Sequence, residues 1–159
     1  MRIRSAPPPL MNVALLKPTR ASTTLGPGYA VARANDGSLN GFFHSDKEDY
    51  PFMVVDLGTA FSIEGVRILP RLNYNSTRFS GIDVRTGLTE VAGPDFGSYS
   101  RLVLFPGPVY EPVTWVAQNL TQPVLGRFLS VQRTVQTVSA DACLEITELE
   151  VFARQANTV

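Results

Sequence analysis

The chain is short of the residues that most often carry chemistry: it holds one cysteine and one histidine in 159 residues. The lone Cys143 closes no internal disulfide and cannot build a cysteine-rich zinc site or a CxxC redox pair, so it reads as a small buried hydrophobe. With His44 as the single imidazole, a Ser or Cys nucleophile has one base to draw on. A Cys143–His44 pair is conceivable on paper, but Cys143 lies just before a core strand. GxSxG, HExxH and a phosphate-cradling glycine loop are all missing. Asp46, Glu48 and Asp49 cluster as carboxylates, yet they read as a solvated turn rather than a hydrolytic pair. An enzyme is the weaker reading. Charge of one sign is missing too: 14 Lys and Arg balance 14 Asp and Glu. No whole-molecule field draws the chain onto nucleic acid or an anionic membrane, so a ligand needs a local site. No run approaches the ~18 apolar residues of a membrane span. Met1-Arg2-Ile3-Arg4 has the charge of a secretion signal but runs into Ser-Ala-Pro-Pro-Pro, with no apolar stretch behind it. Residues 1–11 therefore read as a linker or vector remnant, with Met11 a candidate second start. Residues 12–154 read as one domain and 155–159 as a tail.

What is plentiful is turn chemistry. Twelve prolines and twelve glycines punctuate a chain that is 44% hydrophobic, enough apolar surface to fold into many short strands. The segments Phe52 to Leu57, Gly65 to Leu69, Ile82 to Thr86, Arg101 to Phe105, Val113 to Gln118, Arg127 to Val131 and Leu144 to Phe152 are rich in Val, Ile, Leu, Phe and Thr. Each closes on Gly, Pro, Asn or Asp, which predicts an all-β sandwich or barrel. No stretch sustains a helical period behind a cap. In the last segment Leu144 and Ile146 lie on one parity, Leu149 and Val151 on the other. A β-bulge near Thr147 and Glu148 would produce that slip, freeing the Thr147 carbonyl and turning the Glu148 carboxylate out of the ladder. A strand can offer ligands to a hard cation in that way; the simpler alternative is an edge irregularity with a solvated Glu.

Two loops carry the remaining polar density. Arg33-Ala-Asn-Asp-Gly-Ser-Leu-Asn-Gly-Phe-Phe-His is turn-rich, and tight turns aim carbonyls at one point that Ca²⁺ or water can fill. It lacks EF-hand spacing. Pro70-Arg71-Leu72-Asn73-Tyr74-Asn75-Ser76-Thr77-Arg78 follows a strand, so two arginines bracketing the loop can converge on one patch. Their planar donor forks suit vicinal hydroxyls or a carboxylate. Adjacent Phe42 and Phe43 cannot both face the core if extended, which leaves an aromatic plate beside His44. Aromatic faces next to imidazole and guanidinium donors are the usual chemistry of sugar binding. Trp115, inside the apolar Val113 to Val116 stretch, is assigned to the core.

Asn12-Val-Ala-Leu, Ala34-Asn-Asp-Gly, Met53-Val-Val-Asp-Leu-Gly, Gly126-Arg-Phe-Leu-Ser-Val and Thr147-Glu-Leu-Glu-Val-Phe, in that order, resemble the framework of discoidin-like domains and especially of the F-type, fucose-binding lectins. The resemblance covers residues 12 to 153. Within it His44, Arg71 and Arg78 match that family's ordered His, Arg, Arg sugar pattern. It implies an eight-stranded jelly-roll β-sandwich with binding loops at one end, and a non-catalytic lectin domain for terminal α-L-fucose. By analogy His44 donates to the axial 4-hydroxyl, Arg71 and Arg78 bond the same hydroxyl, the ring oxygen and the 3-hydroxyl, and Phe42 or Phe43 with Tyr74 walls the methyl group. A neutral His44 in that role predicts binding that weakens below pH ~6.5. The resemblance also implies a structural Ca²⁺ held by the Arg33 carbonyl, Asp36, Ser38, a carbonyl near Asn40, Thr147 and Glu148. It places the protein outside the cell or on its surface, with fucosylated glycans as partners, as an oligomer or one domain of a larger chain, and without membrane insertion. Where fish members have an Asp two residues after the first Arg and then a cysteine pair against the sugar, this chain has Asn73, Tyr74 and Asn75. Tyr74 is thus the expected stand-in for the disulfide, and neither arginine has a charge partner in the loop. The alternative reading is a discoidin-type adhesion module for a protein or a phospholipid headgroup, docking through Phe42 and Phe43.

Overall fold

The structure is a computed structural model that describes residues 6–74, 77–135 and 141–157. Its strands are β1 (Met11–Asn12), β2 (Thr19–Ala21), β3 (Phe43–His44), β4 (Phe52–Pro70), β5 (Ile82–Gly87), β6 (Ser100–Phe105), β7 (Val116–Arg133) and β8 (Glu145–Gln155). Every pairing is antiparallel, in the order β1-β8-β4-β7-β5-β6, with β2 added to β4 and β3 to β8. Among the described residues the helical content is two 3₁₀ turns, Pro27–Tyr29 and Val31–Asn35. The fold is the all-β class that the strand pattern predicts.

Four of the expected strands are two. Phe52 to Leu57 and Gly65 to Leu69 are halves of β4, and β7 likewise runs through Arg127 to Val131. The turn residues between the halves make a bend rather than a break. Gly58 takes a left-handed φ of 88°, and the register with β7 shifts between Asp56 and Phe61; a glycine adopts that angle without a Cβ penalty. Before the bend β4 pairs with β2 and the end of β7, and beyond it with β8 and the start of β7. The long strands thus serve both layers, with β2 on β4 before the bend and β8 on it beyond. Met53, Val55, Ile63, Ile68, Val84, Leu129, Leu149 and Val151 fill the space between the layers. Alternate residues Phe52 and Val54 point away and pack with Phe96, Tyr99 and Phe128 in a smaller cluster. Packing also reaches into the expected N-terminal linker: Met11 opposes Ala153, and Arg154 donates to the Pro8 carbonyl.

Two features set up the site. The slip in β8 is a bulge at Thr147: Leu69 pairs with Glu148 while the next residue, Pro70, pairs with Ile146. Short β3 lies against the start of β8, with Phe43 opposite Ile146 and His44 opposite Glu145. Trp115 is not core. It is half-buried just before β7, its indole under the Arg67 guanidinium at 4.1 Å, because the apolar run it belongs to lies at the sheet margin.

Candidate functional site

Alternation along β3 decides which aromatic faces outward. Phe43 is fully buried against the core, so it cannot serve as a wall for a ligand, whereas Phe42 stays half-exposed beside Tyr29 at 5.3 Å. His44 faces the same side as Phe42, and the cross-strand register sets Glu145 directly opposite it.

Glu145 is the residue on which this region is organised. Its carboxylate oxygen Oε1 accepts from His44 Nε2 at 2.8 Å, from Arg78 Nη1 at 2.5 Å and from Arg71 Nη1 at 3.2 Å. The side chain is 3% exposed. Burial works against its charge, but the hydrogen bonds from His44 and Arg78 outweigh it, and the carboxyl ionises below its ordinary value. Arg78 is held twice, since its Nε donates to Asp141 Oδ1 at 3.3 Å and Thr77 donates to the other oxygen of that carboxylate. Desolvation opposes the Arg78 charge, yet the bonds to Glu145 raise its pKa, so it stays protonated at any working pH. Arg133, itself 2% exposed, donates to the Arg78 backbone carbonyl at 2.8 Å and pins the loop from below.

The arginines therefore do have a carboxylate partner, and it comes from β8 rather than from their own loop. Sequence reading missed it because Glu145 lies 67 positions from Arg78, a separation that only strand pairing closes. Aromatic rings brace the cations from the solvent side. The Arg71 guanidinium sits 4.8 Å from the Phe42 ring and 4.4 Å from the Tyr74 ring, and Arg78 lies 5.4 Å from Tyr74. Tyr74, the expected apolar contact to the sugar, packs on both guanidiniums. Asn75 and Ser76, in the same loop, lie outside the described residues.

His44 is held by the protein at both ring nitrogens: its Nδ1 lies 2.6 Å from the Ser45 carbonyl and its Nε2 2.8 Å from Glu145 Oε1. Both partners accept, so a hydrogen on either nitrogen is already engaged before a sugar arrives.

The loop before His44 meets the bulge. Glu148 is 2% exposed; Gly37 N donates to its Oε2 at 3.1 Å, while its buried Oε1 has no partner among the described residues. Burial, with the nearby charges of Asp36 and Glu150, pushes its carboxyl up to about 7. Asp36 accepts from Ser38 N, and Ser38 Oγ from Asn40 N, so the loop folds on its own short side chains. The Arg33 guanidinium reaches across to the Asn40 carbonyl at 3.4 Å. Gly41, at φ 130°, leaves room for it: a Cβ there would lie 2.4 Å from Arg33 Nη1. The Thr147 hydroxyl is spent on the Pro70 carbonyl, which ties the bulge to the root of the arginine loop.

The β-sandwich, with its polar cluster between β3, β8 and the loop after β4, is a fold that this chain shares with solved structures, among them a fucolectin, a lectin domain and a fucose-binding module. An F-lectin (fucolectin) from striped bass, Morone saxatilis, superimposes with a TM-score of 0.80 at 22% identity over 94% of this chain, which spans about half (51%) of the bass protein. The lectin domain of lectinolysin in complex with Lewis b antigen matches with a TM-score of 0.70 at 24% identity, over 92% of this chain and 98% of that one. A fucose-binding module of Streptococcus pneumoniae matches with a TM-score of 0.69 at 21% identity, over 95% and 99%. No protein-family model and no curated protein matches the sequence.

Proposed function

We propose that this chain is a non-catalytic lectin domain of the F-type kind that binds terminal α-L-fucose on glycans outside the cell. The observation that carries the reading is the gathering of His44, Arg71 and Arg78 on one buried carboxylate oxygen, with Phe42 and Tyr74 around Arg71, in a fold shared with fucose-binding modules. Glu145 orders the donors in advance, and ordering before binding reduces the entropy lost when a small sugar is held. Arg71 spends one nitrogen on Glu145 and keeps further N–H groups for vicinal hydroxyls. The half-exposed faces of Phe42 and Tyr74 supply the apolar wall that a 6-methyl group needs. His44 reaches a sugar hydroxyl by sharing the hydrogen it gives to Glu145. A glycan array tests the reading: signal confined to fucosylated glycans is expected, and Arg71→Ala should lower it more than tenfold. Signal on galactose or mannose controls equal to that on fucose would sink it.

The expected loss of binding moves to stronger acid. The pKa of Glu145 is lowered on folding, so the cluster's contribution is intact above the unfolded value of ~4.3 and is lost as pH falls through the lower folded value. Fucose affinity should hold between pH 7 and pH 5 to within about twofold and fall only in stronger acid. Titrations at those two pH values check it, and a drop between them restores the neutral-His44 contact.

A structural Ca²⁺ at the loop before His44 belongs to the same proposal. The residues fit it: Glu148 presents a buried, unpartnered carboxylate oxygen and lies close enough to Asp36 to feel its charge, a donor set for a hard cation. Asp36, Ser38, Glu148 and backbone carbonyls of the loop and bulge would hold the ion. Its chemistry is to neutralise the paired acids and clamp the loop. The Arg33 side chain already covers the Asn40 carbonyl, which makes that carbonyl a poorer ligand than the resemblance suggests. The adhesion-module alternative loses its docking pair, since Phe43 is core and Phe42 packs on Tyr29 and Arg71. Among the described residues no helix is long and apolar enough to cross a membrane.

A further inference from the structure

Beneath the donors lies a group that sugar binding leaves unused. Cys143 is fully buried two residues before Glu145, and its thiol, a ring nitrogen of His44 and a carboxylate oxygen of Glu145 all lie within 4.8 Å of one another. Glu145 is used on one side only. Its Oε1 takes His44 and both arginines, while its buried Oε2 has no partner among the described residues.

We propose that His44, Cys143 and Glu145 form a binding site for a thiophilic divalent cation, with zinc or cobalt the fitting kind, in the floor of the proposed sugar site. Imidazole, thiolate and carboxylate together are the ligand set that such ions take, whereas Ca²⁺ and Mg²⁺ prefer oxygen alone. His44 is already oriented as a ligand, because its Nδ1 is engaged by the Ser45 carbonyl at 2.6 Å, the outer contact that sets the tautomer of a metal-bound histidine. The unpartnered Oε2 provides the carboxylate ligand, so the arginines keep their hold on Oε1.

Binding brings in two positive charges and releases the Cys143 thiol proton, and the Glu145 carboxylate beside both arginines offsets the rest. Three protein ligands at ~2.0 to 2.3 Å leave a fourth position for water. The ligand atoms contract around the ion. His44 moves its Nε2 from Oε1 to the metal, so a bound ion competes with the contact of that nitrogen to a sugar.

The site rests on the lectin reading only for its position, and its test needs no sugar. The full chain is titrated with Co²⁺ alone and then with Zn²⁺ as competitor. One equivalent of cobalt should bind, with tetrahedral visible bands and a thiolate charge-transfer band in the near ultraviolet. Zinc should displace it, and Ca²⁺ should not. Cys143→Ser should abolish the charge-transfer band, and His44→Ala should weaken cobalt at least tenfold while the band remains. Should either variant fail to fold, X-ray absorption on the zinc-loaded unaltered protein decides: one sulfur in the zinc shell supports the site. A shell of nitrogen and oxygen only, or no cobalt band, overturns it. A negative outcome leaves the glycan-array reading standing, and a negative array leaves the metal result intact.

Discussion

Replacing Arg78 with alanine is expected to abolish fucose binding and to destabilise the fold by about 3–5 kcal/mol, the cost of stranding one member of a buried ion pair. The substitution removes the shortest donor to Glu145 and the partner of Asp141 together. The Arg78 side chain is 16% exposed and that of Glu145 3%, so water does little to replace the lost bonds. Arg71→Ala should behave differently. Arg71 is more exposed and its bond to Glu145 is longer, so sugar binding should fall with a much smaller loss of stability. Urea unfolding of the two variants beside the parent measures the contrast. Equal stability losses would show that Glu145 is not held chiefly by Arg78.

The second large effect concerns Glu148. Its native carboxyl keeps its proton up to about pH 7, whereas the unfolded chain releases it near ~4.3. Between these values the native state binds more protons. Stability of the metal-free protein therefore falls as pH rises from ~4.3 to about 7, by on the order of 3 kcal/mol, and stays at the lower level above it. Melting in chelator should accordingly give a higher Tm at pH 5 than at pH 8. Ca²⁺ at a hundred times its Kd should restore about 2.7 kcal/mol at pH 8. Glu148→Gln should raise the chelator Tm at pH 8 and cancel the calcium effect. A calcium response that survives in Glu148→Gln would remove this residue from the clamp.

Much of the region is legible in the sequence. Opposite parity in Leu144, Ile146 against Leu149, Val151 located the bulge at Thr147, because a side-chain period of two cannot change face without an extra residue. The adjacent pair Phe42-Phe43 required one ring to be outside, though not which one; the pairing of Phe43 with Ile146 decided that. Strand number was overcounted at Gly58 and between Gln118 and Arg127, since a local turn signal does not distinguish a bend within a strand from its end. Trp115 was misplaced for a related reason. Composition marks a residue as apolar but not as central, and at the sheet margin a stacked Arg67 is its cover.

One histidine, one cysteine and balanced charge, the scarcities with which the sequence begins, make an enzyme the weaker reading and direct a ligand site to a few polar loops. The sequence by itself determined the all-β class, the slip of face near Thr147 and the order His44, Arg71, Arg78, because each depends on local period, turn chemistry or spacing; the register made that slip a bulge. Only the tertiary structure decided that Glu145 joins them, that both ring nitrogens of His44 face oxygen acceptors and that Cys143 lies beneath. Those are contacts between β3, β8 and the loop after β4, set by antiparallel register. Register is a property of paired strands, fixed by which face the core buries, and no single segment contains it.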